Sequence, residues 1–349
     1  MGIDIVVATE KDAEQWDALN AASPYGTLFH RWRWLKIAEQ YTDARLYPLL
    51  FFNKGEPTGI FPFFLKERYF MRMIFSPPPR LAIRFLGPVL NPPPGVKANK
   101  KEQDMLELEK EADNFIQTTH RPHFTLISNP PHLVDMRPFK WRGYGIDVVY
   151  DYFSDVRCGP EKLWEKLKSN QQRNVRKSEK IGMVFERGHE GELGVLYDLM
   201  VRRYKEQGKA VNVPRQYLID LCRAFPDEMN IFVVKYQGKI VTGSIELLIH
   251  RDEMTSWIGN PKPAIPITPS PNDLMNWETM KYASARGLTY YSVLGAATNE
   301  RLSRYYASKF PDHELRMRYV VKKGVIPPDW LIQGYTRIVK PISEKLRSR

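Results

Sequence analysis

Two stretches of the chain pair a nearly unbroken apolar run with a glycine turn and a second apolar run. Tyr47–Phe52 is apolar almost throughout, Asn53-Lys54-Gly55-Glu56-Pro57 reads as a turn, and Thr58–Leu65 is apolar again. This pattern predicts a buried hairpin. Gly59 and Pro62 place a bulge or an edge in its second strand. Asn230–Tyr236, Gln237-Gly238-Lys239 and Ile240–Ile249 repeat the arrangement, so that LFFNKGEPTGIFPFF lies alongside VVKYQGKIVTGSIELL. A recurrence of this kind predicts a duplicated domain.

The remaining pattern mixes helices with strands. Ile3–Ala8 reads as a strand, Lys11–Asn20 as a helix and Phe29–Leu35 as an aromatic helix. A proline-rich region between Ser76 and Gly95 is expected to frame a strand at Ile83–Leu90. Glu102–Thr118 is a charged helix, and Phe124–Ser128 and Tyr144–Tyr150 are strands. A boundary is expected near Phe153–Pro160, giving domains of residues 1–153 and 154–319. The second opens with helices Pro160–Leu167 and Gln171–Ile181, with Pro160 suited to a first helical position. After the repeat hairpin come a strand at Met254–Ile258, a proline loop, and a helix Asn272–Ala285 that stops at Gly287. Leu288–Val293 and Glu314–Val321 are strands around a helix Asn299–Phe310, and the tail from Pro328 is basic and amphipathic. Hairpins, late crossovers and flanking helices predict an α+β fold with mixed sheets.

Composition narrows the class. A length of 349 residues suits two domains at roughly 150 residues each. Hydrophobic residues at 43% and charged residues at 26% are those of a globular chain. The net charge of +12 favours a polyanionic or membrane-surface partner. With only Cys158 and Cys222, neither a disulfide scaffold nor a four-cysteine zinc site is available. No secretion signal is readable, and the apolar runs fall far short of the ~20 residues that span a bilayer. The expectation is a soluble, cytoplasmic protein. There is no Gly-x-Gly-x-x-Gly after a strand and no Gly-Lys-Ser/Thr phosphate loop. His30, His189, His250 and His313 lack metal-binding spacing, and no Ser/His/Asp or Cys/His set is readable.

Several residues carry candidate chemistry. Arg173, Arg176, Lys177 and Lys180 share one helix face and suit RNA phosphates or a pyrophosphate, or else form a solvated surface. Glu246 is a candidate base for an attacking amine, or a strand residue facing water. Arg31 and Trp34, within Arg31-Trp32-Arg33-Trp34, offer a cation and a flat apolar ring to a precursor's sugar or nucleotide, or else belong to a packed helix. Trp257 reads as a core aromatic with a secondary claim on substrate, and Asp273 as the cap of the helix after Pro271 or a substrate ligand. Arg80 and Arg84, beside the prolines, have the chemistry to hold phosphate.

Gln172-Arg173-Asn174-Val175-Arg176-Lys177-Ser178-Glu179-Lys180-Ile181-Gly182 resembles the opening of the second domain in the FemABX peptidyltransferases. Ile231–Ser244, Trp257-Ile258-Gly259, Asp273–Trp277, Gly295-Ala296 and Tyr305–Phe310 continue the resemblance in order, and Ser23-Pro24, Phe29 and Trp34-Leu35 extend it loosely into the first half. The resemblance implies two tandem GNAT-like acyltransferase domains with a cleft between them, and a C-terminal segment, 320–349, that returns to the first. It implies transfer of an aminoacyl group from aminoacyl-tRNA, as co-substrate, to an amine of a cell-wall or peptide precursor, with no tightly bound cofactor. The wider fold also includes enzymes that use acyl-CoA.

Two departures matter. The family has an aromatic followed by a lysine that steadies the reacting carbonyl oxygen. Here Tyr306 is followed by Ala307, and the next lysine is Lys309. The region where a GNAT pyrophosphate loop is expected reads Ile265-Pro266-Ile267-Thr268-Pro269-Ser270-Pro271, whose prolines lack the N–H groups that bind pyrophosphate. An acyl-CoA N-acyltransferase and a non-catalytic basic binding protein on the same scaffold remain as alternatives. The basic tail suits peripheral contact with the inner face of a membrane or docking on the first domain.

Overall fold

The computed structural model describes residues 3–91, 95–208, 210–259, 263, 266–296 and 300–324. Its first half supplies strands β1 (Ile3–Val7), β2 (Arg45–Asn53), β3 (Glu56–Arg68), β4 (Met71–Ser76), β5 (Val89–Leu90), β6 (Phe124–Ser128) and β7 (Gly145–Asp155). The second half supplies β8 (Met183–Gly188), β9 (Met229–Tyr236), β10 (Lys239–His250), β11 (Glu253–Gly259), β12 (Tyr290–Val293) and β13 (His313–Gly324).

These strands join one sheet in the order β1-β2-β3-β4-β6-β13-β7-β12-β11-β10-β9-β8, with β5 against β3. The order contains a repeat. In the first half, β1 to β4 run antiparallel, β4 pairs parallel with β6, and β6 pairs antiparallel with β13. In the second, β8 to β11 run antiparallel, β11 pairs parallel with β12, and β12 pairs antiparallel with β7. The sixth strand of each set therefore comes from the other half of the chain. β7 and β13 meet at the centre, Gly145 opposite Lys322 and Ser154 opposite His313. The expected boundary at 153/154 falls inside β7, whose residues 152–155 pair with β12.

The long apolar runs are explained by burial on both faces. On β2 and β3, Leu46, Leu50, Ile60 and Phe64 face one core, while Leu49, Phe51, Phe61 and Phe63 face another beneath the helix Ala98–Phe115. On β9, Ile231 and Val233 alternate in the same way with Phe232 and Val234. The first of these cores is shared between the halves: Trp34, on the helix Trp32–Gln40, packs 5.4 Å from Phe225 and 5.6 Å from Trp257.

The two hairpins match closely. Each turns through two left-handed residues, Lys54-Gly55 at φ 53° and 81°, and Gln237-Gly238 at φ 50° and 73°, as two-residue hairpin turns require. Each carries a bulge directly afterwards, at Thr58 and at Val241. By this register Thr58 corresponds to Val241, so the Thr-Gly pairs are offset by one residue. The predicted strand Ile83–Leu90 is reduced to Val89–Leu90. The preceding residues bond elsewhere: Leu86 N–H donates to the Ser128 carbonyl at 2.9 Å, and Gly87 N–H to Ser76 Oγ at 3.0 Å. β4 and β8 are additional to the sequence expectation.

Candidate active site

Three helices converge on Asp273. The helix Pro271–Ala285 begins with Ser270 as its cap: the Ser270 hydroxyl accepts from Asn272 N–H at 3.4 Å, and its carbonyl from Asp273 N–H at 3.0 Å. Capping is therefore the work of Ser270, not of Asp273. Asp273 is buried and accepts from Asn174 Nδ2 at 2.8 Å, on the helix Ser169–Lys180. It also accepts from the Lys309 ammonium, on the helix Glu300–Lys309. Gln171 Nε2 donates to the Lys309 carbonyl at 2.8 Å, and Asn276 Nδ2 to the Tyr305 hydroxyl at 2.9 Å. The Lys309 charge, also 5.7 Å from the centre of the Tyr305 ring, is engaged in joining helices. Tyr306 stacks on Phe310 with ring centres 5.4 Å apart.

The cap also settles what this helix end offers an anion. Pro271 has no N–H, and the next two N–H groups are taken by Ser270. A phosphate at this terminus finds none of the first three backbone donors.

Glu246 does not face water. It is fully buried on β10, and the Tyr291 hydroxyl donates to its Oε2 at 3.1 Å. Burial pushes its pKa up to about 7, with Ser244, Tyr291 and Ser256 pulling the other way. The expected position facing water is corrected to an enclosed one. Glu253, on β11, has the same character: burial raises it to about 7, while Ser292 Oγ donates to it at 2.5 Å. Its neighbours in sequence gave no sign of this.

The helix Ser169–Lys180 buries Gln171, Val175 and Ser178 and exposes Arg173, Arg176, Lys177 and Lys180. Arg176 lies over the Trp164 ring at 5.2 Å. None of the four has a carboxylate partner among the described residues. Arg31 instead spans the halves, bonding Glu228 at 3.0 Å. Trp34 is fully buried, and Trp257 is buried with its Nε1 donating to the Ala82 carbonyl at 2.8 Å. Both are core residues and offer no surface to a ligand.

The parallel pairing of β11 with β12 ends at Ser256 opposite Val293, although β11 continues to Gly259. β12 itself ends at Val293. Just beyond this last pair the Arg84 guanidinium reaches the Trp257 carbonyl at 3.4 Å. Buried Asp151 accepts from Arg318 Nε at 3.0 Å and from Gly295 N–H at 2.5 Å, tying β7, β13 and the turn after β12. The equivalent place in the first half, beyond Ser76 and Ile127, is filled by Leu86 and Gly87. Asp151 and Arg318 were not candidates in the sequence, because nothing local marks a pair 167 residues apart. The tail 325–349, including the basic amphipathic segment, lies outside the described residues.

Residues 165–305 match the Acetyltransferase (GNAT) domain family. A search of curated proteins gave no sequence match. Among solved structures, FemX superposes with a TM-score of 0.68 at 14% identity, covering 94% of this chain and 99% of its own. L-PGS from Bacillus licheniformis superposes at 0.57 and 13% identity, covering 95% and 98%. A tandem GNAT protein from the clavulanic acid biosynthesis pathway, solved without AcCoA, superposes at 0.52 and 10% identity, covering 94% and 100%. The duplicated strand order and the superpositions agree that the chain has a tandem GNAT fold similar to that of FemX, and residues 165–305 of its second half match the Acetyltransferase (GNAT) domain family.

Proposed function

We propose that the protein transfers an aminoacyl group from aminoacyl-tRNA to an amine of a cell-wall or other peptide precursor. The amine attacks the ester carbonyl directly, a C–N bond forms, the C–O bond to the ribose breaks, and the amine's proton leaves with the ribose oxygen or to solvent. Catalysis on this reading rests chiefly on holding the two reactants together. The observation that carries it is the closed terminus of helix 271–285, beside an exposed cationic face at Arg173, Arg176, Lys177 and Lys180. The first disfavours the pyrophosphate of CoA, and the second suits a nucleic-acid backbone. Tyr306 and Lys309 are the candidate groups for the developing oxyanion, Lys309 only on release from Asp273. The work is placed in the cytoplasm, at the membrane's inner face if the basic tail binds lipid.

The second reading is an acyl-CoA-dependent N-acyltransferase, favoured by the GNAT domain at residues 165–305. One experiment separates them: radiolabelled aminoacyl-tRNAs and acyl-CoA thioesters offered in turn with amine acceptors. Label moving from tRNA to an amine is expected. Transfer from CoA thioesters alone, accompanied by a thermal shift with CoA, overturns the first reading.

A further inference from the structure

The hairpin that joins β3 to β4 ends on two aromatic rings. Arg68 pairs with Met71, so Tyr69 and Phe70 alone make the turn. Their exposures are 90% and 81%. Tyr69 also sits in left-handed backbone, at φ 55°, which a side chain with a Cβ resists. The chain's two matching hairpins give their turns to Lys54-Gly55 and Gln237-Gly238, a polar residue and a glycine, the chemistry such turns favour. Neither turn geometry nor packing within the chain calls for Tyr-Phe here. Two adjacent rings so exposed form a patch, and such patches mark contact surfaces.

The charge beside the tip says what it meets. Lys66 pairs with Asp43 at 2.6 Å, and Arg72 with Glu67 at 3.2 Å. Arg45, Arg68 and Arg121 are exposed and have no carboxylate partner among the described residues. Arg45 stands on β2 opposite Leu65. Arg121 belongs to the loop before β6, which is bonded to Arg72: Arg72 Nη1 donates to the His120 carbonyl at 3.3 Å, and His123 N–H donates to the Arg72 carbonyl at 2.8 Å. Arg68 lies over the Tyr69 ring at 5.6 Å, so cation and ring share the apex. The chain leaves β13 at this same end of the sheet, with Gly324 opposite Phe124 and Phe124 opposite Met73. The basic stretch that follows in the sequence is tethered there.

We propose that the Tyr69-Phe70 apex inserts into the interfacial layer of a bilayer bearing anionic lipid, with Arg45, Arg68 and Arg121 against the headgroup phosphates. Aromatic rings settle at headgroup level, and guanidinium groups bond phosphate with paired donors. A second copy of the chain is disfavoured, because it brings the same cations to the same place in a molecule of net charge +12. Single-stranded nucleic acid is held in a groove that tracks its backbone, whereas this apex is convex. The contact does not rest on the transfer reading.

The test is co-sedimentation of the full chain with vesicles of phosphatidylcholine alone and of phosphatidylcholine mixed equally with phosphatidylglycerol. Binding to the mixed vesicles is expected, weakened by added salt, with little binding to phosphatidylcholine alone. Tyr69→Gly with Phe70→Ser supplies residues that suit a two-residue turn. The thermal midpoint of this double variant is expected to hold or rise, while its partition onto mixed vesicles falls by roughly tenfold or more. Undiminished partition by the double variant, or no binding of the parent to mixed vesicles, overturns the proposal. Loss of tRNA binding or of self-association by the double variant, with vesicle partition unchanged, overturns it in favour of that partner. Should the double variant not fold, undiminished partition by Phe70→Ser alone overturns it. No donor and no turnover are involved, so this result and the transfer assay fail independently.

Discussion

The Lys309 ammonium lies against the Asp273 carboxylate, and that carboxylate is buried at the first turn of helix 271–285. Removing one member of such a pair leaves the other uncompensated. Lys309→Ala is expected to lower unfolding free energy by about 3 kcal/mol, read by urea denaturation. The double variant Lys309→Met with Asp273→Asn is expected to recover most of it. Turnover of Lys309→Ala equal to the parent's, at a temperature where both are folded, removes Lys309 from the chemistry. A loss of roughly a hundredfold keeps it there.

Glu246 gives a pH signature. Its folded pKa, about 7, lies above its ordinary value of 4.5. The folded state therefore holds the proton more tightly, and Glu246 favours folding at low pH. That contribution is full below about 4.5 and is lost as pH rises through about 7. Glu246→Gln keeps the shape without the charge. Relative to the parent it is expected to gain stability from pH 5 to about pH 7 and to level off above that, the gain being on the order of a few kcal/mol. Melting curves of both proteins across that range check this; a constant difference contradicts it.

Arg318 and Asp151 are both buried, with only 5% and 0% of their side chains accessible. Arg318→Met strands the carboxylate and removes the donor to Ser128 Oγ at 2.6 Å. A loss of about 3–5 kcal/mol is expected by denaturant titration, with Asp151→Asn in the same background restoring part of it.

The exposed cations of helix 169–180 should act on binding without acting on stability. Reversing Arg173 and Lys177 to Glu is expected to leave the melting temperature within a degree or two. It should weaken binding to tRNA and flatten the dependence of log affinity on log salt by about two contacts' worth. An unchanged salt slope removes RNA from this face.

What the sequence disclosed was local. The hairpins at Tyr47–Leu65 and Asn230–Ile249 were legible because apolar runs and Gly turns fix them within a few residues. The cationic face of helix 169–180 was legible for the same reason, from spacing alone. Glu246 was not: its burial depends on a helix packed from 25 or more residues downstream, at Pro271–Ala285, and on Tyr291. Arg84 and Arg318 are 234 positions apart. For Trp257 the core reading holds, and for Trp34 the packed-helix alternative; their secondary claim on substrate arose because a tryptophan that stacks on sugars and one that fills a core have the same letter and similar neighbours. Ile83–Leu90 misled because its apolar residues plug a gap between strands instead of forming one.

The exchange of β7 and β13 bears on how the protein is made. A ribosome that has released residues 1–155 has built five of the strands β6 will ultimately neighbour or follow, but not β13, which closes that side of the first half. The early product keeps an open strand edge until His313–Gly324 emerges, and such edges invite wrong partners. Halves expressed separately should be sticky and incomplete, whereas the two fragments mixed together should complement each other.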